Sequence, residues 1–444
     1  MMLRLRPYLV VLFFAVLSFG ATLKLGFIWD DHEMIENNPA ITALSAENIK
    51  AAFSTDVFNG KGDPYYRPAQ TIANMVDYQL WGLKPAGYHV TNLFFHAAAT
   101  VLLLFLLRAF FSVRLAFIAG AFFAVHPIVV EQLIIIAGRA ELMALAFTLA
   151  AIVCCLKRDA RGYAGAAVFY LLACLSKESG AVFPLFLALL AWYDEKIKPP
   201  RWAYALFAGV FVFYALLRAN AVAAPSLPPL KEIGLTVARD LPSIIVSYVR
   251  VILFPVDLHS HRRMLFPTYY MVVSPVLVLL PLITIFFKKF RIGLLAAGWF
   301  GIGFLPKLPN LVASSLMLDH WGYVSAIGVF ILLAYGFVLL SEKSVGSRAA
   351  AGVGFSVVLT FWIACSWYSI MNRRTDFHLL HHAMRYPTSS VVRGNLALLY
   401  YDNGYLKEAE KYANEALEMN PQNAQAQKIK DLISSRPQNS RPSR

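Results

Sequence analysis

Asp30 and Asp31 stand side by side in Phe27-Ile-Trp-Asp-Asp-His-Glu-Met-Ile-Glu-Asn-Asn-Pro39, directly after an apolar run that begins at Pro7. Adjacent carboxylates can take a proton from a hydroxyl, and cations nearby can steady a departing phosphate. They can equally cap a helix end or sit as solvated loop acids. Further clusters of acids, bases and histidines recur along the chain. They are Tyr65-Tyr-Arg67-Pro68, Tyr88-His89, His126-Pro with Glu131, Gly138-Arg139-Ala-Glu141, Ser176-Lys177-Glu178, His259-Ser-His261-Arg262-Arg263 and Asp319-His320-Trp-Gly-Tyr323. Arg139, Lys177, Arg262 and Arg263 are the cations suited to a phosphate carried on a membrane lipid. His32, Arg67, His89, His126, Glu131, Glu141, Glu178, His259, His261, Asp319, His320 and Tyr323 are the candidates for binding or positioning a substrate. The competing reading is ion pairing between helix ends for Lys177 with Glu178, Arg139 with Glu141, and Glu131, with His126 as a cap before Pro127.

These residues need elements to carry them, and the composition says which kind. A chain of 444 residues with 58% hydrophobic and 15% charged content and a mean hydropathy of +0.57 is a polytopic membrane protein rather than a soluble domain. Spans are predicted near 7–27, 90–108, 114–133, 140–156, 162–176, 179–194, 201–219, 269–287, 291–308, 320–340 and 349–371. The first is read as an uncleaved helix, because its apolar run fills a whole span and no small-x-small site follows. Alternate connections carry Arg108 and Arg114, Lys157 to Arg161, Lys196 to Arg201, Lys288 to Arg291, and Lys343 with Arg348. Short basic loops belong in the cytoplasm, so the net charge of +14 is explained without nucleic acid. Residues 239–256, with Arg250, Pro242 and Pro255, are expected to be re-entrant or to lie on the outer surface. Every cluster named above then falls on the non-cytoplasmic face, which predicts one polar chamber opening there. Cys154, Cys155, Cys174 and Cys365 lie in apolar runs and predict neither a disulfide nor a zinc site.

Trp29-Asp-Asp-His-Glu with Asn37-Asn-Pro39, Tyr66-Arg-Pro68, Trp81-Gly-Leu, Gly87-Tyr-His-Val-Thr-Asn92, His126-Pro with Glu131, Gly138-Arg139 with Glu141, Ser176-Lys-Glu178 and Tyr323-Val-Ser-Ala-Ile-Gly328 carry a resemblance. Together they resemble the transmembrane-and-tetratricopeptide O-mannosyltransferase family and its bacterial relatives, most densely over 27–180. The resemblance implies the all-α, polytopic GT-C membrane glycosyltransferase fold. It implies transfer of a mannose-like hexose from a polyprenyl-phosphate donor to a hydroxyl of a protein acceptor, with inversion. Asp30 is then the general base and Asp31 its positioning or acceptor-binding neighbour, or the reverse. The family's Arg-Tyr-Leu-Tyr pattern is replaced here by His320-Trp-Gly-Tyr323, so the donor contact there is not carried over. No cofactor is expected. Asp31-His-Glu33 offers divalent-metal ligands, but adjacent carboxylates do not by themselves make a cage.

After Arg373 the composition turns polar. Pro387 and Pro421 stand 34 residues apart, the tetratricopeptide period, and Ala409 and Ala416 are small where paired helices meet. The organisation read from the sequence is a membrane domain over 1–373 with an external loop at 28–89, a helical repeat segment over 374–434 and a disordered tail over 435–444. One and a half repeats fall short of an independent solenoid, so 376–434 is expected to lean on the membrane domain or on a protein partner. The chain has no Asn-x-Ser/Thr acceptor, which favours a bacterial inner membrane, an undecaprenyl-phosphate donor and a periplasmic site over an endoplasmic reticulum membrane with a dolichyl donor. Two other classes stay open. One is a lipid- or glycan-directed transferase or oligosaccharide ligase with a pyrophosphate-linked donor, the other a non-catalytic assembly or transport protein.

Overall fold

The computed structural model describes residues 2–223, 229–263, 291–314 and 316–435. The helices in order are α1 (Met2–Phe19), α2 (Ala46–Ser54), α3 (Pro68–Trp81), α4 (Pro85–Phe110), α5 (Val113–Val125), α6 (Val130–Ile134), α7 (Arg139–Cys155), α8 (Ala160–Ser176), α9 (Phe183–Tyr193), α10 (Arg201–Ala221) and α11 (Leu230–Leu253). Then come α12 (Arg291–Phe304), α13 (Leu308–Ser314), α14 (Ala326–Lys343), α15 (Val345–Met371), α16 (Asp376–Ala383), α17 (Ser390–Asp402), α18 (Leu406–Met419) and α19 (Ala424–Ser434). Among the described residues the only sheet is a short antiparallel pair, β1 (Arg262–Arg263) against β2 (Leu316–Met317), with Arg262 opposite Met317.

The bundle is built for hydrocarbon. On α1, Leu9 and Phe13 are each 61% exposed, and α10 is buried over only 17% of its apolar window. Continuous apolar faces of that extent are not tolerated in water and cost nothing against lipid tails. The segment Ile136–Cys155 is the opposite case, 72% buried, and α7 packs against both α4 and α8. The protein is therefore an integral, multi-pass membrane protein with α7 at its centre.

Each span read from the sequence that falls on described residues lies on a helix or a broken helix; 269–287 lies outside them. Two differ in detail. The span at 114–133 bends by 42° between α5 and the segment Pro127–Ile134, because Pro127 cannot donate to the preceding turn. His126 takes over there, its Nδ1 accepting from the amide of Ile128 at 3.1 Å. The span at 320–340 begins only at Ala326, and Asp319–Gly322 forms a separate 3-10 turn. Outside those spans, the segment 239–256 is helical as far as Leu253, within the continuous helix α11, which buries Ile244, Tyr248, Val251 and Ile252; of the two expectations for it, the re-entrant one fails.

The first loop is a folded unit rather than a tether. The C-terminal helices pack through a small-residue core of Ala397, Ala409, Ala413, Ala416 and Ala426. They also lean on the membrane domain, Asp376 accepting a hydrogen bond from the backbone of Trp29 at 2.7 Å. That contact puts the first loop and the C-terminal segment on one side of the membrane. An even number of crossings must therefore separate them.

The turn between α6 and α7 needs a glycine at 138. A Cβ there would lie 2.5 Å from the Cα of Gln132, a backbone atom that cannot move aside cheaply. Gly138→Ala is expected to destabilise the protein by about 1–3 kcal/mol, read as a lowered thermal midpoint in detergent. An unchanged midpoint would mean the turn has slack it does not display.

Candidate functional site

The chain leaves α1 through a 3-10 turn and reaches Trp29, whose φ is 61°, the left-handed region. This reversal sends the two neighbouring aspartates to different places. Asp31 is fully buried. Its Oδ2 accepts from the amides of Ile28 at 3.0 Å and Ile136 at 3.0 Å, and its Oδ1 from that of Ala137 at 2.8 Å. Burial pushes its carboxyl up to about 7, against the downward pull of those three donors. Asp30 instead faces a cavity of about 570 Å³. Among the described residues it accepts no hydrogen bond, and the enclosing walls push its carboxyl up to about 6, opposed by Arg67.

The cavity is walled by the first loop, the α6–α7 turn, the start of the α8–α9 connection, α10, the α12–α13 break and the turns holding His261 and His320. Its charges are unevenly matched. Lys177 and Lys307 both line it, and both reach one carboxylate oxygen of Glu141, at 2.7 and 2.6 Å. Two ammonium groups on one carboxylate leave a positive charge uncompensated in a low-dielectric wall, a strong local attraction for an anion. Arg67 pairs with Glu178 at 3.3 Å and lies 4.4 Å from the Tyr65 ring centroid. Glu131 binds Nδ1 of His320 at 2.9 Å and, at 3.5 Å, Arg373. His261 is held down at about 4 by burial and is neutral at physiological pH. Arg218 donates to the carbonyl of Pro64 at 2.9 Å, tying α10 to the first loop.

Of the residues singled out from sequence, Asp30, Arg67, Glu131, Lys177, Glu178, His261 and His320 line this cavity. The others do not, for identifiable reasons. Arg139 is wholly buried and fully engaged by Asp77 at 2.5 Å, Asn92 at 2.8 Å, Asn74 at 2.9 Å and the carbonyl of Tyr88 at 3.0 Å, so it has nothing left for a phosphate. Arg262 is likewise spent on Asp319 at 3.0 Å and Asp257 at 3.2 Å, which removes Asp319 as well. The Arg263 side chain lies outside the described residues. Glu141 lies behind its two lysines. His89 is fixed by the carbonyl of Leu133 at 2.9 Å, and His126 by that of Ile252 at 2.7 Å. His259 stacks on Tyr386 with centroids 4.2 Å apart, and the Tyr323 hydroxyl meets His96 at 3.0 Å. His32 points to Asp376 at 2.9 Å and to Glu36; the hydrogen bond with Asp376 is the main reason its pKa is raised to about 9.

Lys307, Arg218 and Arg373 were missed. Lys307 and Arg218 sit inside or at the end of apolar runs, where a cation is a functional signal in its own right. Asp31, His32 and Glu33 diverge, toward Ala137, Asp376 and Lys61 respectively. Among the described residues no three His, Cys, Asp or Glu side chains are grouped to hold a metal.

Helical bundle, first loop and cavity together define a multi-pass membrane protein with a charged internal chamber. No family model matches the chain. It is similar to a protein O-mannosyl-transferase of Caenorhabditis elegans, 24% identical over 94% of this chain and 63% of that one. Protein O-mannosyl-transferase TMTC3 of Mus musculus is 35% identical over 29% of this chain and 14% of the relative. The chain thus spans less than two thirds of these relatives. Among solved structures it resembles ArnT from Cupriavidus metallidurans bound to undecaprenyl phosphate, with a TM-score of 0.47, 14% identity and coverage of 93% of this chain and 74% of that one. It also resembles the Archaeoglobus fulgidus oligosaccharyltransferase tethered with an acceptor peptide, with a TM-score of 0.45, 15% identity and coverage of 91% and 58%.

Asp31→Asn replaces an acceptor of three amides by a group that must turn an NH2 toward at least one of them. A buried unsatisfied donor costs about 1–3 kcal/mol. The variant is expected to melt earlier and to lose ordering of the 28–33 turn in hydrogen exchange; wild-type behaviour in both would show that the clasp is dispensable.

Proposed function

We propose that the protein is a GT-C membrane glycosyltransferase. It moves a mannose-like hexose from a polyprenyl phosphate to a hydroxyl of a protein acceptor at the non-cytoplasmic face, with inversion. The observation that carries this reading is the pairing within one cavity of Asp30, a carboxylate that accepts no hydrogen bond among the described residues, and two lysines sharing a single glutamate. Similarity to protein O-mannosyl-transferases supports the sugar and the acceptor class.

In this reading Asp30 is the general base. The acceptor hydroxyl gives its proton to the Asp30 carboxylate as its oxygen forms a bond to the anomeric carbon. The bond from that carbon to the phosphate oxygen breaks, and the electron pair leaves with the polyprenyl phosphate. Charge growing on the phosphate is met by Lys177 and Lys307, whose surplus over Glu141 is already in place before the reaction begins. Arg67, held by Glu178 and packed on Tyr65, closes the cationic side. One displacement with one base gives inversion. Asp31 takes no part in the proton transfer; it holds the turn. The side-chain cations supply the charge that a divalent ion supplies elsewhere, so no metal is required. The periplasmic side of a bacterial inner membrane is the proposed location.

The purified protein, a labelled polyprenyl-phosphate mannose and periplasmic extract are expected to yield protein gaining one hexose by mass spectrometry, in the presence of EDTA. Asp30→Asn is expected to lower transfer by about 10²–10⁴-fold with folding intact. A base must be deprotonated to act, and the Asp30 carboxyl is pushed up to about 6, so kcat/KM is expected to fall about tenfold per unit as the pH drops below that. Transfer by Asp30→Asn at the wild-type rate overturns the assignment, and dependence on a pyrophosphate-linked donor overturns the donor class.

A further inference from the structure

Among the described residues, four non-glycine residues hold a left-handed backbone: Trp29, Asn59, Arg158 and His261. A residue with a Cβ disfavours that region, a bulky one especially, and such turns persist only where the surroundings hold them. Trp29 and His261 both line the cavity, with ring centroids 5.6 Å apart. Both are held by the same part of the chain. Asp376, the first residue of α16, accepts from the Trp29 amide at 2.7 Å with one carboxylate oxygen and meets Nε2 of His32 at 2.9 Å with the other. Thr388 donates its hydroxyl to the carbonyl of His261 at 3.3 Å, and its backbone bridges to Arg262. The indole of Trp29 packs on the small cluster of Leu380, Ala383, Val392 and Leu396 from α16 and α17.

We propose that the C-terminal helical segment is a clamp on the cavity wall, with Asp376 and Thr388 as positioning residues that hold the turns at Trp29 and His261. Trp29 immediately precedes Asp30. If its φ relaxed to the right-handed region, the following residues would rotate, and either Asp31 would leave the amides of Ile136 and Ala137 or Asp30 would leave the cavity. Asp376 prevents this by giving the Trp29 amide a charged acceptor and His32 a partner. Thr388 does the same from the carbonyl side at His261. The C-terminal helices are thereby part of the site's scaffold. The link to turnover rests on the function proposed above; the clamp itself rests on the geometry alone.

The test uses the whole chain of 444 residues in detergent with Asp376→Ala, Asp376→Asn, Thr388→Val and, as a charge control on the same segment, Glu410→Gln. Asp376→Ala is expected to raise amide exchange over residues 28–33 by about tenfold or more while 139–155 stays protected. It is expected to lower kcat about 10–100-fold with the donor KM within about twofold, as a misplaced base does. Asp376→Asn keeps an acceptor for the Trp29 amide and is expected to restore protection and most of kcat. Thr388→Val is expected to raise exchange over 259–262, and Glu410→Gln to change neither readout. Unchanged exchange at 28–33 in Asp376→Ala overturns the clamp whatever the activity. Raised exchange with an unchanged kcat overturns its tie to Asp30. If the unaltered protein transfers no sugar, the function proposed above fails and the exchange arm alone decides the clamp.

Discussion

A buried carboxylate gripping three backbone amides is the constraint on which the rest depends. Asp31 joins the exit of α1, at Ile28, to the turn that starts the central helix, at Ile136 and Ala137. Amides at that depth have no water to turn to, and leaving them bare is expensive. The clasp therefore sets where the first loop sits against α7. Once it is set, the next residue back along the chain has one direction left, into the cavity. The close approach at Gly138 serves the same end, letting the α6–α7 turn fold tightly enough to present its amides side by side.

Charge is handled in two ways in this bundle. Arg139 with Asp77, and Arg262 with Asp319 and Asp257, are closed networks whose donors and acceptors consume one another. They fix helices in place, and removing one partner of such a buried pair leaves the other stranded at a cost of about 3–5 kcal/mol. Around Glu141 the count is unequal, with two lysines on a single acid. Unmatched charge in such a place is costly, which is what makes this imbalance a candidate for function. Closed networks hold the frame and the open one faces the space between.

The helices were legible because lipid allows few solutions: long apolar runs must be helical, and their ends announce themselves in arginine and lysine. The bend at Pro127 was legible in principle, since proline inside an apolar run interrupts its ladder. The site was legible only in part. Arg139 and Lys177 look alike in sequence, each beside a glutamate at a helix end, yet one is sealed and the other open. What separates them is α3, which brings Asn74 and Asp77 over Arg139 from a distant part of the chain. Asp30 and Asp31 could not be told apart either, because the left-handed turn at Trp29 carries no glycine to mark it. Histidines drew attention as chemical groups, yet His89, His126 and His259 proved to be hydrogen-bonded to main-chain carbonyls.

The wall of the cavity joins segments 347 residues apart in the chain. The amide of Trp29 finds its partner only once Asp376 has been made and α15 has crossed the membrane. Assembly thus has a built-in order: Asp30 stands in the first loop well before the segment that bears Asp376 exists to hold the turn beside it.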